Sequence, residues 1–134
     1  MIQVVQAQPR GSGGAGRPAR NQGLLRNGDD APDFSLRTYD GSQVVTLSKL
    51  RGKPTVLVFG SCTCPPFVRS TSMINSLFDE YHDDVNFLMI YIREAHPIGG
   101  REVPNNQFKV NAPTTLSERC QLAENFNERI QMRM

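Results

Sequence analysis

The sequence predicts an α/β fold centred on a strand–helix–strand unit with parallel strands. Residues 55–59 and 87–92 form two apolar runs rich in β-branched and aromatic side chains, which is typical of buried strands. Between these runs, apolar residues recur at helical spacing from Pro65 onward. A strand, a helix and a second strand in this order form a right-handed crossover that sets the two strands side by side.

An N-terminal β-hairpin is predicted ahead of this unit. Phe34 and Leu36 alternate with polar residues, as in a strand that is buried on one face. The pair Asp40-Gly41 favours a tight turn. Residues 44–47 then supply the returning strand, so the hairpin is expected to span residues 34–47.

The strand over residues 55–59 is apolar throughout, so we expect it to be buried on both faces of the sheet. Pro65 suits the first turn of the following helix, because an N–H at that position would have no helical partner. The apolar side chains of this helix are predicted to share one face, at Phe67, Ile74, Leu77, Phe78 and Tyr81.

A second helix is predicted near the C-terminal end of the sequence. Residues 94–113 are rich in Pro, Gly and Asn and are expected to form a loop. Thr115, with Glu118 three residues later, matches a capping box and predicts that the helix begins near Thr115. Its apolar face would include Leu116, Cys120, Ala123 and Ile130.

Length and composition favour one small domain preceded by a tail. The chain has 134 residues, and residues 1–24 are polar and rich in Gly and Arg, so we expect a disordered tail there and a domain over residues 25–134. The formal net charge of +2 argues against a nucleic-acid-binding protein. No apolar run approaches the ~20 residues of a membrane span, and no signal peptide is recognisable, so a cytoplasmic location is favoured.

Three cysteines, Cys62, Cys64 and Cys120, point to thiol chemistry rather than to a disulfide framework. Cys64 lies in the turn between the first strand of the unit and its helix, where parallel sheets collect functional groups. The N-terminal end of the helix favours the negatively charged thiolate, which is the nucleophilic form of cysteine. Cys120 is expected to be a core residue, because it lies on the apolar helix face.

Two segments resemble one enzyme family. Cys64-Pro65-Pro66-Phe67 is similar to a thioredoxin-type C-x-x-C motif whose second cysteine is replaced. The longer segment 59–67 resembles the active-site motif of the iodothyronine deiodinases, in which the Cys64 position usually carries selenocysteine. Residues 91–96, Tyr-Ile-Arg-Glu-Ala-His, resemble the second motif of that family.

The resemblance implies a thioredoxin-like fold and a thiol-dependent oxidoreductase that removes halogen reductively from small aromatic molecules. Cys64 would be the nucleophile, Cys62 the thiol that regenerates it, and Glu94 and His96 a proton-handling pair. No bound cofactor and no metal are implied, and an external thiol would serve as reductant. The resemblance also implies that the protein forms a homodimer.

The sequence departs from the family pattern at several points. Cys64 replaces selenocysteine, Arg93 replaces the first glutamate of the second motif, and a later histidine has no counterpart near Pro113. A complete thioredoxin-like domain needs a further β-hairpin with a cis-proline, and no such pattern follows the last helix. We therefore expect an incomplete, C-terminally truncated domain.

Three other functions fit parts of the pattern. A thiol peroxidase or general redoxin would use the same Cys64 site, although the proline usual before a peroxidatic cysteine is absent. A Cu(I)-binding module would use Cys62, Cys64 and His96 as soft ligands. The third is a non-catalytic fragment.

Overall fold

The computed structural model describes residues 3–5 and 25–134. Its architecture is mixed α/β, with five short strands and two helices in the described residues. In chain order these elements are β1 (Gln3–Val5), β2 (Ser35–Arg37), β3 (Val44–Thr46), β4 (Thr55–Gly60), α1 (Pro65–Tyr81), β5 (Asn86–Tyr91) and α2 (Leu116–Ile130). A short 3-10 helix, Leu47–Leu50, joins β3 to the loop before β4.

The predicted parallel strand–helix–strand unit is confirmed. β4 and β5 pair in parallel, with Thr55 opposite Asn86 and Gly60 opposite Tyr91, and α1 forms the connection between them. The N-terminal hairpin is also confirmed, because β2 and β3 pair antiparallel with Leu36 opposite Val45. These elements agree with the predicted thioredoxin-like α/β fold.

The predicted disordered tail differs from the structure at one point. Gln3–Val5 forms β1, which pairs in parallel with β5 and gives the sheet the order β1-β5-β4. Two consecutive valines favour extended backbone, and the free edge of β5 offers hydrogen-bonding groups to them. The rest of the predicted tail, up to residue 24, lies outside the described residues.

The more deeply buried strand is β5 rather than β4, with four of its six residues buried. Leu88 and Ile90 pack with Val45 and the hairpin on one face of the sheet, while Met89 and Tyr91 pack with the two helices on the other. The prediction that residues 55–59 are buried on both faces is wrong, since the Phe59 side chain is 55% exposed. Among the described residues β4 pairs only with β5, so it lies at an edge of the sheet.

The second helix begins where the capping box predicts. The Thr115 side chain accepts a hydrogen bond from the Glu118 backbone N–H, and Glu118 bonds back to the Thr115 N–H. The helix buries Ala123 and Phe126, whereas Leu116 of the predicted apolar face is 47% exposed. After α2, residues 131–134 form no strand, but the side chains of Met132 and Met134 are buried in the core.

No helix among the described residues has both the length and the apolar character that crossing a membrane requires.

Candidate active site

Cys64 occupies the junction between β4 and α1. It is the N-cap residue of the helix, with extended backbone angles, and its N–H donates to the Ser61 carbonyl at 3.1 Å. Pro65 and Pro66 are the first two helical residues and carry no N–H, so Phe67 is the first residue inside the helix with a free donor. The half-buried Cys64 thiol makes no capping hydrogen bond.

Cys62 lies only two residues earlier but in a different environment. Its side chain is 2% exposed, and its thiol donates to Oε2 of Glu94 at 3.4 Å. Burial raises the pKa of the Cys62 thiol to about 12, and the adjacent Glu94 carboxyl group acts in the same direction. The folded protein therefore holds Cys62 as a protonated thiol at neutral pH.

Glu94 lies beneath the turn that carries both cysteines. Its side chain is 4% exposed, and its Oε2 accepts hydrogen bonds from three groups. These are the Cys62 thiol, the Thr63 N–H at 3.1 Å and the Thr63 hydroxyl at 2.5 Å. A buried carboxyl group is tolerated where its lone pairs are satisfied in this way.

Tyr91 completes the environment of the Glu94 carboxyl group. The Tyr91 hydroxyl donates to Oε1 of Glu94 at 2.5 Å and accepts from the Cys62 N–H at 3.2 Å. Burial of this phenol, with Glu94 beside it, raises the pKa of Tyr91 well above its ordinary value. Tyr91 is the last residue of β5 and pairs with Gly60, so the strand itself sets the phenol under the cysteine turn.

His96 joins the same network through its backbone. Its N–H donates to the Thr63 hydroxyl oxygen at 3.1 Å, and that hydroxyl in turn donates to Glu94. Nδ1 of the half-buried imidazole lies 2.6 Å from the Arg101 carbonyl oxygen, which can only accept. Nδ1 therefore carries the proton in this contact and acts as the donor.

The structure thus brings three of the four predicted site residues together: Cys62, Glu94 and His96 all contact each other directly or through Thr63. Cys64 is placed next to this network by the backbone, and within residues 25–134 its sulfur has no hydrogen bond to Glu94 or His96. Cys120 is half-buried against the core, as predicted for a residue of the apolar helix face.

Sequence reasoning assigned no site role to Thr63, Tyr91 or Asn106. Thr63 is fully buried between the two cysteines, and Asn106 donates from its side chain to the Thr63 carbonyl oxygen at 2.9 Å. The only local signal was the position of Tyr91, three residues before Glu94 at the end of a strand. Asn106 lies in the long loop 94–113, where the pair Asn105-Asn106 extends the resemblance to the family but indicates no contact with Thr63.

The arrangement does not resemble the soft metal site considered from the sequence. The Cys62 thiol bonds to Glu94, and the His96 Nδ1 bonds to a carbonyl oxygen. Within residues 25–134, no group of three or more His, Cys, Asp or Glu side chains is arranged to hold a metal ion.

Comparison with known proteins agrees with the two motifs. Residues 19–133 match the family model for iodothyronine deiodinase. The chain belongs to the iodothyronine deiodinase family. It is 39% identical over 98 residues to the thyroxine 5-deiodinase of Ovis aries, covering 72% of this chain and 34% of that protein. It is 32% identical over 127 residues to the type II iodothyronine deiodinase of Rattus norvegicus, covering 81% of this chain and 48% of that protein.

The human thyroxine 5-deiodinase is similar at 37% identity over 98 residues, covering 72% of this chain and 32% of that protein. The chain thus spans about a third to a half of the length of the curated deiodinases that it matches. The two motifs that resemble the family, residues 59–67 and 91–96, are the segments that Glu94 ties together. The family resemblance predicted from those motifs is therefore confirmed.

Proposed function

We propose that this chain carries the thiol site of a reductive dehalogenase that acts on iodinated phenols. The observation that carries the proposal is the network beneath the Cys64 turn, in which one buried carboxyl group accepts from Cys62, Thr63 and Tyr91. This network holds the two family motifs, residues 59–67 and 91–96, in contact. The printed names of the relatives refer to thyroxine and iodothyronine, so an iodinated aromatic ring is the substrate class proposed here.

In the proposed reaction, the Cys64 thiolate attacks the iodine atom of the ring. The carbon–iodine bond breaks, its electron pair stays on the ring carbon, and that carbon takes up one proton. The products are the deiodinated ring and a sulfenyl iodide on Cys64. An external thiol then displaces iodide to form a mixed disulfide, and a second thiol releases Cys64 in its reduced form.

His96 is the proposed source of the proton. Its imidazole is half-buried and its Nδ1 is bonded to the Arg101 carbonyl oxygen, so Nε2 is the ring nitrogen proposed to transfer the proton. Glu94 acts with it through Thr63, by holding the turn that carries Cys64. In this assignment Glu94 positions the site, and His96 exchanges the proton.

Cys62 is the proposed second thiol of the chain. One residue separates it from Cys64, but its thiol is covered and bonded to Glu94. For Cys62 to attack oxidised Cys64, the turn over residues 61–64 must open and the thiol must lose its proton. We therefore assign the first exchange step to the external thiol.

Iodide release from an ortho-iodinated phenol, with excess dithiothreitol as the thiol, tests this function. Wild-type protein and a Cys120→Ser control are expected to release iodide, and Cys64→Ser is expected to release none, because a serine hydroxyl is not ionised at neutral pH. The same three proteins are assayed for peroxide consumption. Loss of peroxide without release of iodide would overturn the dehalogenase proposal in favour of a thiol peroxidase, and neither activity would favour a non-catalytic fragment.

A further inference from the structure

Thr63 is the residue through which the loop 94–113 holds the cysteine turn. The side chain is fully buried, and each of its polar groups has a partner from that loop. Its N–H and hydroxyl donate to Glu94, and its hydroxyl oxygen accepts from the His96 N–H. Its carbonyl oxygen accepts from the Asn106 side-chain amide at 2.9 Å.

The Asn106 contact acts on the peptide unit that joins Thr63 to Cys64. One end of this unit, the Thr63 carbonyl, is bonded to Asn106, and the other end, the Cys64 N–H, is bonded to the Ser61 carbonyl. A peptide unit bonded at both ends cannot rotate without breaking a hydrogen bond. Its orientation sets the backbone angles of Cys64 and hence the direction in which the thiol leaves the helix N-terminus.

The loop is shaped to bring Asn106 to this place. Asn105 adopts a left-handed backbone conformation, with φ of 60°, which asparagine tolerates better than most residues. The Asn106 N–H donates to the Val103 carbonyl and closes a tight turn. Asn106 also lines a cavity of about 260 Å³ together with Pro65 and Arg69 of the first turns of α1.

We propose that Asn106 is a positioning residue for Cys64. It holds the Thr63–Cys64 peptide so that the thiol faces the N-terminal end of α1, where the helix favours the thiolate. The inference deepens the proposed function and rests on it, because it assigns Asn106 to the nucleophile of that reaction.

Alkylation of Cys64 by iodoacetamide, followed against pH, tests the proposal without a dehalogenation assay. The experiment uses the full chain in a Cys120→Ser background, and fragmentation mass spectrometry separates Cys64 from the intact Cys62. In Asn106→Ala the loss of one hydrogen bond is expected to slow alkylation about fivefold at pH 7.5. In Asn106→Asp the slowing is expected to be larger, about tenfold, because a carboxylate oxygen would face the Thr63 carbonyl oxygen.

The pH profile separates positioning from general loss of structure. Rates in both variants are expected to recover toward the wild-type plateau at high pH, since the thiolate is then formed without help from the helix. Gln107→Ala is the matched control, because Gln107 lines the same cavity but is exposed. This control is expected to keep the wild-type profile.

A wild-type alkylation profile in folded Asn106→Ala would overturn the inference, and so would a rate that stays low at every pH. Thermal melting of each variant shows which proteins are folded. If Asn106→Asp does not fold, the alkylation profile of Asn106→Ala alone tests the positioning role. The outcome is independent of the iodide assay. A shifted profile in a protein that releases no iodide would leave Asn106 as a positioning residue and reject only the dehalogenase proposal.

Discussion

The Tyr91 hydroxyl donates a 2.5 Å hydrogen bond to the Glu94 carboxyl group. Both side chains are buried, and they lie three positions apart along the chain. Tyr91 ends β5 and Glu94 follows in the loop, so the bond folds the loop back under the sheet edge. Because the other oxygen of Glu94 accepts from Thr63 and Cys62, this one bond couples the end of β5 to the turn of the cysteines.

Replacing Glu94 by glutamine should destabilise the fold. The glutamine amide keeps one oxygen, but an NH₂ group replaces the other carboxylate oxygen, which accepts hydrogen bonds in the wild type. At least one buried donor therefore loses its partner. We expect the free energy of unfolding to fall by about 2–3 kcal/mol. Urea denaturation at pH 7 measures this change.

Glu128→Gln is the matched control for this substitution. Glu128 lies on the exposed side of α2, and its replacement is expected to change the free energy of unfolding by less than about 0.5 kcal/mol. Equal effects of the two substitutions would show that the Glu94 hydrogen bonds contribute nothing to stability.

The buried Cys62 thiol should make the protein sensitive to alkaline pH. Its pKa is about 12 in the folded chain against an ordinary value of 9.0, so the unfolded chain loses this proton first as the pH rises. The stabilising contribution is therefore fully present below pH 9 and is lost between pH 9 and pH 12. By pH 10.5 the loss should reach about 2 kcal/mol.

Comparison with Cys62→Ala isolates this effect from other groups that titrate. Tyr91 also has a raised pKa, chiefly from burial and from Glu94, and these two causes remain in Cys62→Ala. The measured quantity is the difference in urea midpoint between pH 7.5 and pH 10.5. Wild type should lose more stability than Cys62→Ala over this interval, and parallel losses would contradict the assignment.

The same burial predicts that Cys62 resists alkylation. At pH 8, a thiol with a pKa of about 12 has a thiolate fraction about a thousandfold lower than a thiol with a pKa of 9.0. Iodoacetamide should therefore label Cys62 in the folded protein about a thousandfold more slowly than in urea. Site-resolved mass spectrometry measures both rates, and similar rates in the two conditions would show that the thiol is accessible in the native state.

Gly60→Ala should disturb the start of α1. A Cβ atom at Gly60 would lie 2.4–2.6 Å from three ring atoms of Phe67, and this ring is itself packed against Phe126. The ring must shift, so we expect a loss of about 1–3 kcal/mol in the free energy of unfolding. In Gly100→Ala the nearest heavy atom would be 3.1 Å away, on Pro97 in an exposed loop, and a clearly smaller loss is expected in the same urea titration.

Phe126 should be the most sensitive position of α2. Its ring packs against those of Phe67, Tyr91 and Phe108, with centroid separations of 5.6, 6.3 and 5.3 Å. Phe126→Ala should lower the free energy of unfolding by about 3–5 kcal/mol, since it leaves a cavity in the core. Leu116→Ala on the same helix is the control and should cost less than about 1 kcal/mol, because Leu116 is largely exposed.

Sequence patterns located the elements because each element depends on neighbours along the chain. The Thr115–Glu118 capping box, the Asp40-Gly41 turn and the proline after Cys64 act over one to four residues, and all three are found where predicted. Sequence patterns were less able to predict which apolar residues of an element are buried. Leu116 and Phe126 are both apolar residues of α2, yet only contacts from other parts of the chain decide that one is exposed and the other is buried.

By itself, the sequence determined the order of strands and helices from β2 onward, the position of Cys64 before a helix and the likeness of two motifs to one family. Only the tertiary structure decided that Cys62 is covered while Cys64 is half-buried, although one residue separates them. It also decided that Asn106 reaches the Thr63 carbonyl across 43 positions of the chain. Local backbone preferences act within a few residues, whereas burial and long-range hydrogen bonds exist only once distant segments have packed together.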